Sequence, residues 1–166
     1  MNNFMINLIS KIKTSLTLGV FIFFSFSIYA QSKNTNFVLN KSFEKDLTFD
    51  IIYFDEDPAD SYSKQFSLIL NNELALNAIS VNLPLEINDI INDDVKSIND
   101  FYKINNENLV LYVVSQSSST RNTLKGFFYF ENKLIGSFSS YRTIWTNNRL
   151  MSLAEFISKK INDKMR

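Results

Sequence analysis

The feature that most constrains this fold is the segment from Thr123 to Ile144, which can form two strands joined by a tight turn. Aromatic and β-branched residues dominate both arms, and Asn132-Lys133 is the expected two-residue loop. This loop predicts three cross-strand pairs, which are Glu131 with Leu134, Tyr129 with Gly136, and Phe127 with Phe138. Both faces of the hairpin are then partly apolar. Other segments of the chain are therefore expected to cover it on both sides.

The chain before this hairpin alternates between strand-like and helix-like periods. Apolar residues alternate over Leu47 to Phe54, which predicts a strand, and they follow a spacing near 3.6 over Tyr62 to Asn77, which predicts a helix that Asp60 or Ser61 can cap. A strand is predicted again over Ile79 to Leu85, near a sheet edge because Pro84 has no N–H to donate. A second amphipathic helix is then expected over Ile87 to Tyr102.

The remaining segments complete the expected order of elements. The apolar run from Leu109 to Val114 predicts an interior strand, and a polar loop over Ser115 to Asn122 links it to the hairpin. A last helix is expected from Asn147 or Asn148, with an apolar stripe that includes Leu153 and Ile157. Upstream, residues Phe37 to Leu39 are expected to form either a short strand or a packing clip.

These elements predict one α/β domain of the mixed α+β kind over residues 47–166. Its order is strand, helix, strand, helix, three strands and a helix. We expect a single mixed sheet of about five strands with the helices packed on it. Residues 31–46 are expected to act as an N-terminal tether.

The first 30 residues have the pattern of a bacterial Sec-type signal peptide. Two basic residues, Lys11 and Lys13, precede an apolar run from Leu16 to Ala30 that is too short for a membrane-spanning helix. Cleavage after Ala30 would leave a periplasmic or secreted chain without a stable membrane span. The chain has no Cys, so a lipoprotein anchor and disulfides are not expected.

The composition excludes several kinds of chemistry. The chain has no His and no Cys, which removes His-based acid–base catalysis, thiol nucleophiles and the usual zinc ligands. With 3 Gly in the whole chain, a phosphate-binding glycine loop is not expected. The 17 basic residues are balanced by 17 acidic ones, so nothing favours nucleic acid. We expect neither a catalytic residue nor a cofactor.

The acidic turn after the first strand is the main candidate for ion binding. Asp55, Asp57 and Asp60 could offer oxygen ligands to a Ca²⁺-like ion, although their spacing does not match an EF-hand. Acids at the start of a helix also favour its N-terminus without any ion. A further alternative is a carboxylate pair for glycoside hydrolysis that would include Asp50.

Aromatic residues of the hairpin and of the segment after it form the candidate partner-binding set. Aromatic side chains beside an arginine are typical anchors of protein interfaces. The alternative is that they form the second sheet face beneath a helix. If exposed, they would suit a protein or a glycan. The candidates are Phe127, Tyr129, Phe138, Tyr141, Arg142 and Trp145.

The order of elements resembles a family of small bacterial envelope domains. The relevant segments are the strand that ends Tyr53-Phe54-Asp55, the helix around Phe66 to Leu76, the hairpin from Leu124 to Ser139 and the helix around Leu153 to Ile157. This arrangement is similar to the TolB amino-terminal domain, the curli-secretion lipoprotein and the LPS-assembly lipoprotein. The resemblance implies a non-catalytic role in assembly or scaffolding with an envelope protein as partner.

Three functions are therefore open at the level of sequence. The first is an exported, non-catalytic, protein-binding or scaffold domain, with the oligomeric state left open. The second is a carboxylate-dependent hydrolase or a Ca²⁺-assisted carbohydrate binder that uses the turn from Asp55 to Asp60. The third is a secreted toxin-neutralising or inhibitor domain.

Overall fold

The computed structural model describes residues 34–44, 46–55, 61–90 and 107–166. Residues Thr35–Arg166 form one compact unit. The predicted leader over residues 1–30, Asp57 and Asp60 of the acidic turn, and residues 91–102 of the predicted second helix lie outside the described residues. Among the helices of the described ranges, none is long and apolar enough to cross a membrane.

Six strands and three helices occur in the described residues. The strands are β1 (Thr35–Leu39), β2 (Phe49–Asp55), β3 (Leu85–Glu86), β4 (Leu109–Ser117), β5 (Asn122–Phe130) and β6 (Lys133–Arg142). The helices are α1 (Tyr62–Leu76), α2 (Ile87–Ile90) and α3 (Asn147–Asn162). The strand order is β1-β6-β5-β4-β2-β3, in which β2 is parallel to β3 and β4 while the other neighbours are antiparallel. The predicted α/β fold with one mixed sheet is confirmed.

Helices α1 and α3 cover the same face of the sheet. Alternate residues of the strands point towards these helices, as the two-residue period of a strand requires. Phe49, Leu111 and Phe128 are fully buried on this face, where they belong to one cluster with Phe66 of α1 and Leu153 of α3. This cluster is the main core of the protein, and it draws on every described strand except β3.

The opposite face of the sheet has a much smaller apolar cluster. Its buried residues are Ile52 and Val110, and Ile87 at the start of α2 packs against them together with Tyr112 and Tyr129. Burial, followed by the nearby Tyr129, raises the pKa of Tyr112. Within the described ranges, α1 and α3 therefore supply most of the apolar cover of the sheet.

The short-strand alternative for Phe37 to Leu39 is confirmed as β1, and this strand adds a sixth to the five that were counted. This strand pairs antiparallel with β6, with Thr35 opposite Ser140, and their hydroxyl oxygens are 2.8 Å apart. Thr35 and Leu39 are buried and Phe37 packs on the core, so the alternation of a half-buried strand is present although short. The folded unit consequently begins at Thr35, within the segment that was expected to be a tether.

The predicted strand over Ile79 to Leu85 is also wrong in its extent. Only Leu85–Glu86 forms a strand, and Val81 adds an isolated bridge to Phe49. Two local features limit the pairing. Ala78 adopts a left-handed conformation with φ 58° as α1 ends, and Pro84 cannot donate to a ladder.

The loop of the hairpin lies one residue earlier than expected. Glu131 and Asn132 have φ of 51° and 62°, as a type I′ turn requires at both central positions. Because of this loop and a register shift between Phe128 and Tyr129, the observed pairs are Tyr129 with Leu134, Phe128 with Gly136, and Gly126 with Phe138. The ring of Phe138 lies directly over Gly126. All three predicted pairs are therefore wrong.

Two predicted helices are confirmed in type and position. The helix expected over Tyr62 to Asn77 is α1, and its N-cap is Ser61. The last helix is α3, although its N-cap is Thr146 rather than Asn147 or Asn148. The loop predicted over residues 115–122 is shorter than expected, because β4 extends to Ser117 and β5 begins at Asn122.

Candidate protein-binding surface

The structure divides the predicted aromatic set among three environments. Phe138 and Trp145 belong to the core and are only 2% and 5% exposed. Phe127 and Tyr129 are half-buried on the sheet face opposite α1 and α3. Tyr141 is 43% exposed. The six candidates therefore do not form one continuous surface, and the most exposed of them is Tyr141, which lies beside the half-buried Arg142.

Tyr141 and Arg142 lie at a corner of the sheet, at the end where β6 finishes and β5 begins. Arg142 pairs with Asn122 across the hairpin, which brings the preceding Arg121 to the same corner. The segment from Thr143 to Thr146 then leads into α3, whose first turn carries Arg149. We define the arginine corner as the set Arg121, Tyr141, Arg142, Ile144 and Arg149.

Two guanidinium groups at this corner stack on aromatic rings. Arg121 Cζ is 5.1 Å from the ring centroid of Tyr141, and Arg142 Cζ is 5.6 Å from that of Trp145. In addition, Arg142 Nη1 donates to the carbonyl oxygen of Tyr141 at 2.7 Å, and Arg149 Nη1 donates to that of Ile144 at 2.7 Å. These contacts restrict the side chains before any partner arrives.

Trp145 fixes the backbone beneath the corner. Its indole Nε1 donates to the carbonyl oxygen of Asn122 at 3.1 Å, and Asn122 Nδ2 donates to the carbonyl oxygen of Thr143 at 2.9 Å. The buried indole thus joins the start of β5 to the segment after β6. Trp145 supports the corner from the core and does not itself present a binding surface.

The arginine corner is electropositive. Burial lowers the pKa of Arg142, and the neighbouring Arg149 lowers it further, but a guanidinium remains charged at neutral pH. In the described ranges, the one ion pair joins Lys41 Nζ to Glu131 Oε2 at 3.3 Å, at the opposite end of the hairpin. Arg121 and Arg142 therefore have no carboxylate partner among the residues that the structure describes.

Sequence reasoning identified Tyr141 and Arg142 but missed Arg121 and Arg149. The signal for Arg121 was present, because extending the predicted hairpin pairing to its open end places residue 121 opposite residue 144, two positions from Arg142. Arg149 gave no such signal. Its position depends on how the chain turns after Ile144 into α3, and this turn is set by the packing of Trp145.

The described carboxylates of the acidic candidates accept hydrogen bonds within the fold. Asp55 Oδ1 accepts from the Ser63 N–H at 2.8 Å and from Ser115 Oγ at 2.7 Å, and Oδ2 accepts from the Lys64 N–H at 3.2 Å. Asp55 thus caps the first turn of α1. No group of three or more acidic residues that could hold a metal ion occurs in the described part of the chain.

Asp50, the other carboxylate considered, has a similar role. Its Oδ1 accepts from Asn82 Nδ2 at 2.6 Å and its Oδ2 accepts from Asn108 Nδ2 at 2.8 Å. The carboxylate is buried, and the two amides satisfy both of its oxygens. Asp50 therefore links β2 to the segment before β3 through Asn82 and to the segment before β4 through Asn108.

Comparison with known proteins supports the fold. No protein-family model matches the chain, and no curated protein matches it. Two solved structures of the PelC dodecamer from Paraburkholderia phytofirmans are similar to it, each with 12% identity over 80% of this chain. The TM-scores are 0.51 for a point variant, of which 98% is covered, and 0.50 for a second crystal form, of which 97% is covered.

Proposed function

We propose that this chain is an exported, non-catalytic envelope protein whose folded domain binds another protein in an assembly or scaffold role. The observation that carries the proposal is the arginine corner, where stacked guanidinium groups lie beside exposed apolar side chains. The signal-like leader and the absence of His and Cys from the sequence agree with export and with a role other than catalysis.

The composition of the corner suits a protein partner. Arg and Tyr are enriched among the residues that dominate binding energy at interfaces. Tyr141 is 43% exposed and Ile144 is 58% exposed, so both can bury apolar area against a partner. Because Arg121 and Arg142 are already stacked on rings, little side-chain entropy is lost when they bind.

The resemblance in element order to the TolB amino-terminal domain and the two lipoprotein classes motivates an assembly role. The PelC structures are dodecamers, which motivates measuring the oligomeric state of this chain as well. The partner at the corner is then either another envelope protein or a further copy of the chain.

A comparative pull-down from envelope extracts tests the proposal. The bait is the tagged mature chain from Gln31, compared with an Arg121→Ala/Tyr141→Ala variant. The matched control is Lys133→Ala/Leu134→Ala, which removes one exposed basic and one exposed apolar side chain at the other end of the hairpin. We expect the wild type and the control to recover the same protein, and the corner variant to lose it. Equal recovery by all three baits would reject the corner as the binding surface.

Cell fractionation tests the proposed export. We expect the protein in the periplasm or the medium, with an N-terminus at Gln31 in mass spectrometry of the intact chain. A cytosolic protein that retains Met1 to Ala30 would contradict export.

A further inference from the structure

We propose that the arginine corner of one copy binds an acidic edge on a second copy, so that chains associate side by side. The acidic edge consists of Leu83, Leu85, Glu86 and Asp89, at the other margin of the sheet. This inference rests on the proposed function, because it names the protein partner of the same corner.

The acidic edge is a second charged surface at the same end of the sheet. Glu86 pairs with Tyr53 near the end of β2, and Asp89 follows in α2. Burial raises the pKa of Tyr53, and the charges of Glu86, Asp89 and Asp55 raise it further in that order. Asp55 is occupied by the first turn of α1, so of these three described carboxylates Glu86 and Asp89 are the ones that can face a partner.

The two charged surfaces are too far apart to contact each other within one chain. In the strand order, β6 and β3 are separated by β5, β4 and β2. Four steps between neighbouring strands correspond to about 19 Å. A salt bridge between the corner and the edge of the same copy is therefore excluded by the distance, whereas two copies placed side by side bring one against the other.

Apolar exposure accompanies the charge on both surfaces. Leu83 is 77% exposed and Leu85 is 45% exposed beside the acids, while Ile144 and Tyr141 are exposed beside the arginines. Each surface thus combines an apolar patch with charges of one sign, and the signs are opposite. Such a pair fits the general form of a protein interface, in which apolar contacts supply area and complementary charges set orientation.

The contact would form through side chains rather than through an extended sheet. The strand β3 has two residues, and among the described strands it is the margin of the sheet. Pro84 directly before it has no N–H, which discourages another strand from pairing there. Charged and apolar side chains at this margin remain available for a neighbouring copy.

The proposed contact is heterologous, because the two surfaces are different and do not overlap. Each copy that uses its arginine corner still presents its acidic edge, so association can continue beyond a dimer into a closed ring or a chain. With this kind of association, the average number of copies in an assembly rises with protein concentration. Because the contact depends on charge, it also depends on salt.

Charge reversal and mixing of the purified mature chain test this inference. One variant is Arg121→Glu/Arg149→Glu, and the other is Glu86→Lys/Asp89→Lys. In each alone, like charges would meet at the contact, and we expect association to weaken by roughly a hundredfold or more. Mixed together, the two variants again present opposite charges at every contact, so we expect association to return.

Sedimentation velocity over a range of protein concentrations supplies the measurement. The wild type should sediment faster as its concentration rises and should return towards a monomer in high salt, and the control Lys133→Glu should match it. Thermal melts followed by circular dichroism identify any variant that fails to fold. Restored association in a mixture of variants that melt like the wild type would support the proposed contact directly.

Two outcomes would overturn the inference. One is a wild type that stays monomeric at every concentration and salt. The other is association that neither reversal weakens. If the corner variant still loses a protein in the pull-down, the proposed function survives and its partner is a different protein. If the pull-down is also unaffected, the proposed function fails as well.

Discussion

At the scale of single residues, Asp55 has a different role from the one that its sequence context suggested. Its position after a strand, among other acids, suggested an ion ligand. In the fold, its two oxygens accept hydrogen bonds from the Ser63 and Lys64 N–H groups and from Ser115. Two of these donors are among the amides that a helix leaves unpaired at its start, so the carboxylate links β2, β4 and α1.

Replacing Asp55 with Ala should therefore destabilise the protein. We expect the free energy of unfolding to fall by about 1–3 kcal/mol, because two helix amides and one hydroxyl lose a charged acceptor. Urea denaturation of the D55A variant, with exposed Asp46→Ala as the matched control, measures the difference. A similar loss in both variants would contradict the capping role. A calcium-dependent rise in the Tm of the wild type that D55A abolishes would instead assign the carboxylate to a cation.

Residue roles could be predicted only where they depend on local sequence. That acids favour a helix start was foreseeable from the order of Asp55, Pro58 and α1. Burial beneath a helix was the stated alternative for the aromatic set and it holds for Phe138 and Trp145, but the sequence could not tell these two residues from the others. Tertiary packing decides which aromatic residues of the hairpin reach the surface.

At the scale of elements, the contact between β1 and β6 has a steric requirement. A Cβ atom on Gly136 would overlap the backbone carbonyl oxygen of Val38 in β1. Gly136 is opposite Leu39 in this pairing, and a backbone oxygen cannot move aside as the end of a flexible side chain can. The absence of a side chain at this position lets β1 approach β6.

The Gly136→Ala variant should weaken the attachment of β1. We expect a loss of about 1–3 kcal/mol from the free energy of unfolding, in the range of overpacked sites. Amide hydrogen exchange in Thr35–Leu39 should accelerate more than exchange in β4. The control is Ser137→Ala, which changes the adjacent residue on the opposite face. Unchanged exchange in β1 relative to that control would show that the strand tolerates the added methyl group.

Elements with long, regular patterns were predictable, and short ones were not. Both α1 and α3 follow from the helical spacing of their apolar residues, and β4 from an uninterrupted apolar run. In contrast, β1 has five residues and β3 has two, too few for a period to be distinctive. The hairpin was recognised, but its register depended on which two residues accept a positive φ.

At the scale of the whole molecule, the folded unit extends further towards the N-terminus than composition suggested. Phe37 lies edge-on to Phe128 at 5.6 Å and to Phe156 at 6.4 Å between ring centroids. A single residue of β1 thus contacts both a central strand and α3. The sequence did not reveal this role for two reasons. The residues directly before Phe37 are polar, and the aromatic residues that its ring contacts lie much later in the chain.

Truncation from the N-terminus should locate this boundary. A chain that begins at Asn34 should melt at the same temperature as one that begins at Gln31. A chain that begins at Asn40 should lose about 2–5 kcal/mol of stability, since Phe37 and Leu39 no longer fill the core. It should also aggregate, because the edge of β6 becomes unpaired. Thermal melts and light scattering measure both effects, and equal melting of all three chains would show that β1 does not contribute to the stability of the folded unit.

The pairing of β1 with β6 has a consequence for the timing of folding. Thr35 and Ser140, whose hydroxyl oxygens are 2.8 Å apart, are separated by 105 positions, and the Phe43 N–H donates to the carbonyl oxygen of Lys164, 121 positions later. Contacts of such long sequence separation form slowly. A ribosome must release the chain through β6 before β1 can pair with it, so this side of the sheet closes only after β6 has been synthesised.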